Sequence, residues 1–151
     1  MALSATIYNF SIRQDAVWHD GKPVTSDDVI FTIEMMKSAG SLYPQDIKDL
    51  WSKIEVTKLN DKNVKFTLPE PFVPFLDYLN FGVVPKHLLD SLPPEQMESA
   101  EFNNKPVGTG PYKFDRFLVE NGQIIGVVLT VFDGYYRAPA FVEQVVFRYY
   151  P

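Results

Sequence analysis

The chain has 151 residues, the size of one domain, and a net charge of −5. Hydrophobic residues make up 46% and charged residues 22% of it, proportions that indicate a folded rather than a disordered chain. The lack of Lys/Arg clusters excludes an electrostatic footprint for nucleic acid, and the lack of cysteine excludes disulfides and thiolate metal sites.

The first half of the chain contains the patterns of strands, helices and a hairpin. Apolar residues at every second position predict the strands, and apolar residues three or four apart predict the helices. An Asp-Gly pair predicts a turn before the first helix, and Thr-x-x-Asp predicts a capping box at its start. The predicted elements are a strand over 6–13, a helix from Thr25 to Gly40, a helix over 46–53, and strands over 54–59 and 64–68.

In the second half, prolines begin the predicted helices and an Asn-Gly pair predicts a tight hairpin turn. The predicted elements are helices over 71–79, 85–92 and 94–100, strands over 112–120 and 123–132 joined at Asn121-Gly122, and a last strand over 141–150. Hairpins prevail over regular βαβ units, so the predicted fold class is α+β with a largely antiparallel sheet. We expect residues 1–151 to form a single domain.

His19 and Asp20, next to Trp18, suggest a catalytic or metal-binding cluster. Adjacent side chains on a turning backbone point in different directions, however, so they do not form an oriented pair by default. No nucleophile motif accompanies them. No metal motif does either, since His19 and His87 are the only histidines. We therefore predict no catalytic residue, no metal and no cofactor, and interpret the stretch as a structural corner in which replacing His19 by alanine does little. A hydrolase that uses His19 or His87 with a carboxylate is the alternative.

The stretch Gly108-Thr109-Gly110 invites comparison with a phosphate-binding loop. It lacks the lysine and the helix of such a loop, and Pro111 follows at once. We interpret its glycines as residues that allow unusual backbone angles before a strand.

Three stretches together resemble the family 5 extracellular solute-binding proteins, which are the peptide- and nickel-binding components of ABC importers. They read FSIRQDAVWHDGKPVTSDDVIFTIEMM at 10–36, PVGTGPYKFDRF at 106–117, and VFDGYYRAPAFVEQVVFRYYP at 131–151. Ser26 stands where the family usually has alanine. The resemblance implies part of lobe I of a periplasmic binding protein-like II fold, and we expect the chain to be a fragment of a larger two-lobed protein.

The resemblance also implies a function. The expected role is that of the non-catalytic substrate-binding component of an ABC importer, for oligopeptides or dipeptides, with ABC permease subunits as partners. The expected location is periplasmic or extracellular, with membrane association only through the permease or through a lipid anchor outside this chain. No secretory signal pattern is expected within the chain itself.

Two loops are candidates for ligand contact, because peptide sites combine aromatic walls with a few polar groups. We predict contact by Tyr43 in the loop 41–44, and by Asn80 and Phe81 in the stretch 79–82. By contrast, Phe72, Phe75 and Tyr78 recur at three-residue spacing and are predicted to pack in the core. Because closure around a ligand needs both lobes, we expect this chain alone to bind peptides weakly or not at all.

Overall fold

The computed structural model describes residues 6–38 and 43–150. By its contacts the chain divides into two compact units, one formed by Met1–Gln14 with Val24–Ser99 and the other by Asp15–Pro23 with Ala100–Pro151. The single domain over 1–151 stays a prediction.

The first unit contains a three-stranded antiparallel sheet with helices. Its elements are β1 (Ile7–Ser11), α1 (Ser26–Lys37), α2 (Gln45–Ser52), β2 (Glu55–Asn60), β3 (Asn63–Thr67), a 3₁₀ helix (Val73–Leu79), α3 (Lys86–Leu89) and a 3₁₀ helix (Pro94–Ser99). The strand order is β1-β3-β2, with antiparallel pairing throughout. The predicted strand over 6–13, the two predicted helices before residue 54, and the predicted hairpin are therefore confirmed. Gly40, the predicted end of the first helix, lies outside the described residues.

The helix predicted over 71–79 is a 3₁₀ helix that begins at Val73. It has seven residues with a proline in its first turn. Since proline donates no backbone hydrogen bond, few α-helical bonds can form over so short a segment. The two proline-led helices that follow are also shorter than predicted, as α3 has four residues and the next segment is a 3₁₀ helix.

The core of the first unit is built around aromatic rings. Trp51, Phe66 and Phe75 are buried and lie 5.7–6.4 Å apart between ring centroids, in tilted or edge-on pairs. Such arrangements suit the ring quadrupoles and contribute about 0.5–1.5 kcal/mol beyond the area that they bury. Phe75 thus packs as predicted. Phe72, just before the 3₁₀ helix, is partly buried and also packs against the core as predicted. The prediction is wrong for Tyr78, which is 38% exposed.

The second unit contains a separate antiparallel sheet. Its elements are a 3₁₀ helix (Glu101–Asn103), β4 (Tyr112–Glu120), β5 (Gln123–Val131) and β6 (Gln144–Arg148), in the strand order β4-β5-β6. Asn121 and Gly122 have φ values of 51° and 77°, as a tight hairpin turn requires, which confirms the predicted Asn-Gly turn. The predicted α+β class is confirmed, but the antiparallel strands form two three-stranded sheets. Within the described residues, no helix is both long and apolar enough to cross a membrane.

Candidate functional site

The stretch around Trp18 is a tight corner in the second unit. Trp18 is 2% exposed, and its backbone N–H donates to the Lys22 carbonyl at 2.7 Å. The backbone N–H of Lys22 donates in turn to the Asp20 carboxylate at 3.1 Å, the bond of an Asx turn. Gly21 takes a φ of +85°, which its lack of a side chain permits. These contacts support the interpretation of this stretch as a structural corner.

His19 connects that corner to the glycine-rich stretch near residue 108. Its backbone N–H donates to the Gly108 carbonyl at 2.8 Å, and the Gly108 N–H donates to His19 Nδ1 at 3.1 Å. His19 Nε2 lies 3.1 Å from the Gly110 carbonyl. A carbonyl oxygen only accepts, so Nε2 carries the proton and Nδ1 presents its lone pair. We call His19, Gly108 and Gly110 the histidine bracket.

An aromatic ring and a cation border the histidine bracket. The Phe132 ring meets the His19 ring edge-on, with 4.9 Å between centroids, and Lys113 Nζ lies 5.8 Å from the Phe132 centroid. Burial lowers the pKa of His19 below its usual value, and the Lys113 charge lowers that pKa further. The hydrogen bond to Gly110 and the Asp20 charge act in the opposite direction on this pKa without cancelling the shift. The bracket therefore favours a neutral imidazole.

Space requires glycine at position 108 of the bracket, and neither of its glycines has an unusual backbone angle. A Cβ atom on Gly108 would lie 3.3 Å from His19 Cε1, whereas a Cβ on Gly110 would meet nothing closer than the Tyr112 carbonyl at 4.0 Å. Neither glycine has a φ in the left-handed region. The prediction of unusual angles here is thus wrong. The contacts of His19 also argue against the expectation that its removal does little.

These contacts bear on the hydrolase alternative. Both ring nitrogens of His19 are engaged by backbone groups, so neither is directed at a substrate as a general base would be. His87 lies on α3 in the first unit, whereas the bracket belongs to the second unit. Over residues 6–38 and 43–150, no three His, Asp or Glu side chains are arranged to hold a metal ion.

The predicted ligand residues all lie in the first unit. Tyr43 is 42% exposed just before α2, and Asn80 is exposed just after the 3₁₀ helix Val73–Leu79. Phe81 is partly buried and packs edge-on against Trp51, with 5.4 Å between centroids. Trp51 lies in the last turn of α2, so Tyr43 and Phe81 stand at opposite ends of this helix.

The sequence reasoning missed two exposed apolar residues on the 3₁₀ helix Val73–Leu79. Val73 and Leu76 are 75% and 56% exposed. They lie three residues apart, and in a 3₁₀ helix such residues share a face. We call Val73 and Leu76 the 3₁₀ ridge. The sequence signal for this ridge was the run Val-Pro-Phe-Leu. An α-helix would have spread these four residues around its whole circumference, so the α-helical period did not predict a shared face.

Comparison with known proteins identifies the family. The model of the bacterial extracellular solute-binding proteins, family 5 middle region, matches residues 4–151. The chain belongs to this family. The predicted resemblance is thereby confirmed, and the three quoted stretches lie within the matched region.

Individual relatives agree with the family match. The oligopeptide-binding protein AppA of Bacillus subtilis is 30% identical over 148 residues, which are 95% of this chain and 26% of AppA. The structure of AppA in complex with a nonapeptide matches 95% of this chain and 28% of the AppA chain, with a TM-score of 0.78 and 27% identity. The structure of NikZ of Campylobacter jejuni in complex with Ni(L-His) matches 99% of this chain and 29% of the NikZ chain, with a TM-score of 0.77 and 32% identity. The chain thus spans about a quarter of the length of the curated relative AppA.

Proposed function

We propose that this chain is part of the solute receptor of an ABC importer and contributes one wall of a binding site for oligopeptides or dipeptides. The family match over residues 4–151 carries this proposal. AppA, a relative over nearly the whole chain, is named as an oligopeptide-binding protein. The partners would be the permease subunits of the importer, and the location would be periplasmic or extracellular.

The positions of the candidate residues support a peptide ligand. Tyr43 precedes α2, and Phe81 packs against Trp51 in the last turn of α2, so a ligand that touches both residues extends along this helix. The exposed 3₁₀ ridge adds apolar surface on the helix that ends just before Asn80, which suits side chains of varied sequence.

The receptor role is non-catalytic in this proposal. The family consists of solute-binding proteins, and the histidine bracket uses its imidazole for backbone contacts. His87 is the remaining histidine for the hydrolase alternative. The sequence identifies no nucleophile beside it. Peptide cleavage measured by mass spectrometry after prolonged incubation with the protein would contradict the receptor proposal.

Calorimetry on the complete polypeptide that carries residues 1–151 tests the peptide site. We expect a nonapeptide of mixed sequence to bind, and Tyr43→Ala to weaken that binding about tenfold, the loss of an aromatic contact worth about 1.4 kcal/mol. Asn80→Ala should weaken it about fivefold through a lost hydrogen bond.

Leu59→Ala serves as the control, because Leu59 is also exposed in the first unit but lies on β2. It should leave affinity unchanged. Equal affinity in the Tyr43, Asn80 and Leu59 variants would remove these residues from the site. Binding of a nickel–histidine complex in place of any peptide would reassign the ligand class.

A further inference from the structure

We propose that the histidine bracket is a pH-sensitive latch, in which neutral His19 holds the Gly108–Gly110 turn and protonated His19 releases it. Three hydrogen bonds connect the corner at 15–23 to this turn, and two of them use the imidazole. The latch lies within the second unit and joins residues that are 89 and 91 positions apart. Two of the three bonds thus depend on one side chain, and the bond to Gly108 also depends on its protonation state.

Donor and acceptor geometry explains why protonation opens the latch. In the neutral ring, Nδ1 accepts from the Gly108 N–H and Nε2–H donates to the Gly110 carbonyl. The imidazolium carries a hydrogen on both nitrogens. Its Nδ1–H would face the Gly108 N–H, two donors separated by 3.1 Å. One hydrogen bond is lost and a repulsive contact replaces it, while the bond to Gly110 alone survives at the ring.

The groups that face the imidazole favour the neutral form on balance. Lys113, from β4, opposes a second positive charge, and Asp20, from the corner, favours one. Burial of the ring has the largest effect. Together with the Lys113 charge it outweighs the Gly110 hydrogen bond and the Asp20 charge, which raise the pKa, so the pKa of His19 lies below its usual value. The released state takes up a proton near pH 6.5, the ordinary pKa of histidine, whereas the latched state does so only at lower pH. The latch is thus fully stabilising above about pH 6.5 and weakens as the pH falls.

The position of the turn gives the latch a structural consequence. Gly110 leads through Pro111 into β4, and the Pro111 carbonyl accepts the backbone N–H of Phe132 at 2.9 Å. Phe132 also contacts the His19 ring. Release of the turn therefore loosens the end of the β4–β5 pair, and leaves its hairpin end at Asn121-Gly122 unaffected.

NMR on the full chain tests the latch without any substitution. At pH 7.5 we expect the His19 ring to be protonated at Nε2 and not at Nδ1. Between pH 7.5 and 5.5, the exchange protection of the Gly108 amide should fall, by at most about tenfold for one linked proton. The Phe66 amide of β3, in the other unit, is the internal reference. A ring protonated at Nδ1 at pH 7.5, or unchanged Gly108 protection while His19 titrates, would overturn the proposal.

Two variants separate the latch from a merely structural role. His19→Gln keeps polar atoms but does not titrate in this range, so it should remove the pH dependence of Gly108 protection. His87→Gln, which alters the other histidine, should retain the full pH-dependent fall in Gly108 protection. If His19→Gln disrupts the second unit, the measurements on the unaltered chain still decide. Retention of the pH dependence in a folded His19→Gln variant would refute the latch.

Discussion

At the residue scale, Gly108 and Gly110 make a matched pair that differ in the space around them. A methyl group on Gly108 would lie 3.3 Å from His19 Cε1, tighter than ordinary van der Waals contact. We expect Gly108→Ala to lower the free energy of unfolding by about 1–2 kcal/mol, as overpacking does. Urea denaturation followed by tryptophan fluorescence measures the change, since Trp18 is buried in the same corner.

Gly110→Ala is the control for this prediction. Its methyl group has nothing closer than 4.0 Å, and its φ lies outside the left-handed region. Because alanine also restricts the unfolded chain, this substitution should be neutral or stabilising by up to about 1 kcal/mol. Equal destabilisation by both substitutions would mean that backbone conformation, and not the imidazole contact, requires glycine at these positions.

At the element scale, α1 depends on one buried acid. The Asp28 carboxylate accepts the backbone N–H of Thr25 at 2.8 Å with one oxygen and that of Lys86 at 2.9 Å with the other. The first bond caps α1, and the second holds the start of α3 against it. Asp28→Ala should lower the free energy of unfolding by about 2–3 kcal/mol, through the lost cap and an unsatisfied N–H.

Two comparisons sharpen the Asp28 prediction. Asp28→Asn keeps one acceptor oxygen but turns an NH₂ group toward the other N–H, so we expect about half of that loss. Asp27→Ala removes the neighbouring acid, which also lies in the first turn of α1 but is partly exposed and pairs with Lys58 at 2.6 Å. It should change stability by less than about 1 kcal/mol. A larger effect from Asp27→Ala than from Asp28→Ala would show that charge alone stabilises α1.

At the scale of the whole molecule, the chain spans about a quarter of AppA, and a ligand enclosed between lobes needs contacts from both. We therefore predict that residues 1–151 alone bind peptides weakly or not at all. Calorimetry with the nonapeptide that saturates the complete polypeptide checks this. Micromolar or tighter binding by residues 1–151 would show that this segment carries the whole site.

The sequence by itself determined the features that depend on residues close together in the chain. The hairpin turn at Asn121-Gly122 follows from two residues that tolerate positive φ. The cap of α1 follows from Thr25 and Asp28, three residues apart. Strand periodicity and the three family stretches are equally local, which is why fold class and family could be predicted from them.

Only the tertiary structure decided the features that depend on distant partners. Sequence spacing could not show that His19 meets Gly108, 89 residues away, so it assigned His19 little weight and Gly108 the wrong reason for being glycine. For the same reason it could not show that Phe81 packs against Trp51, or that Tyr78 stays exposed beside a buried Phe75. Hydrogen-bond partners and burial are set by which surfaces meet when the chain folds, and local pattern carries no record of that choice.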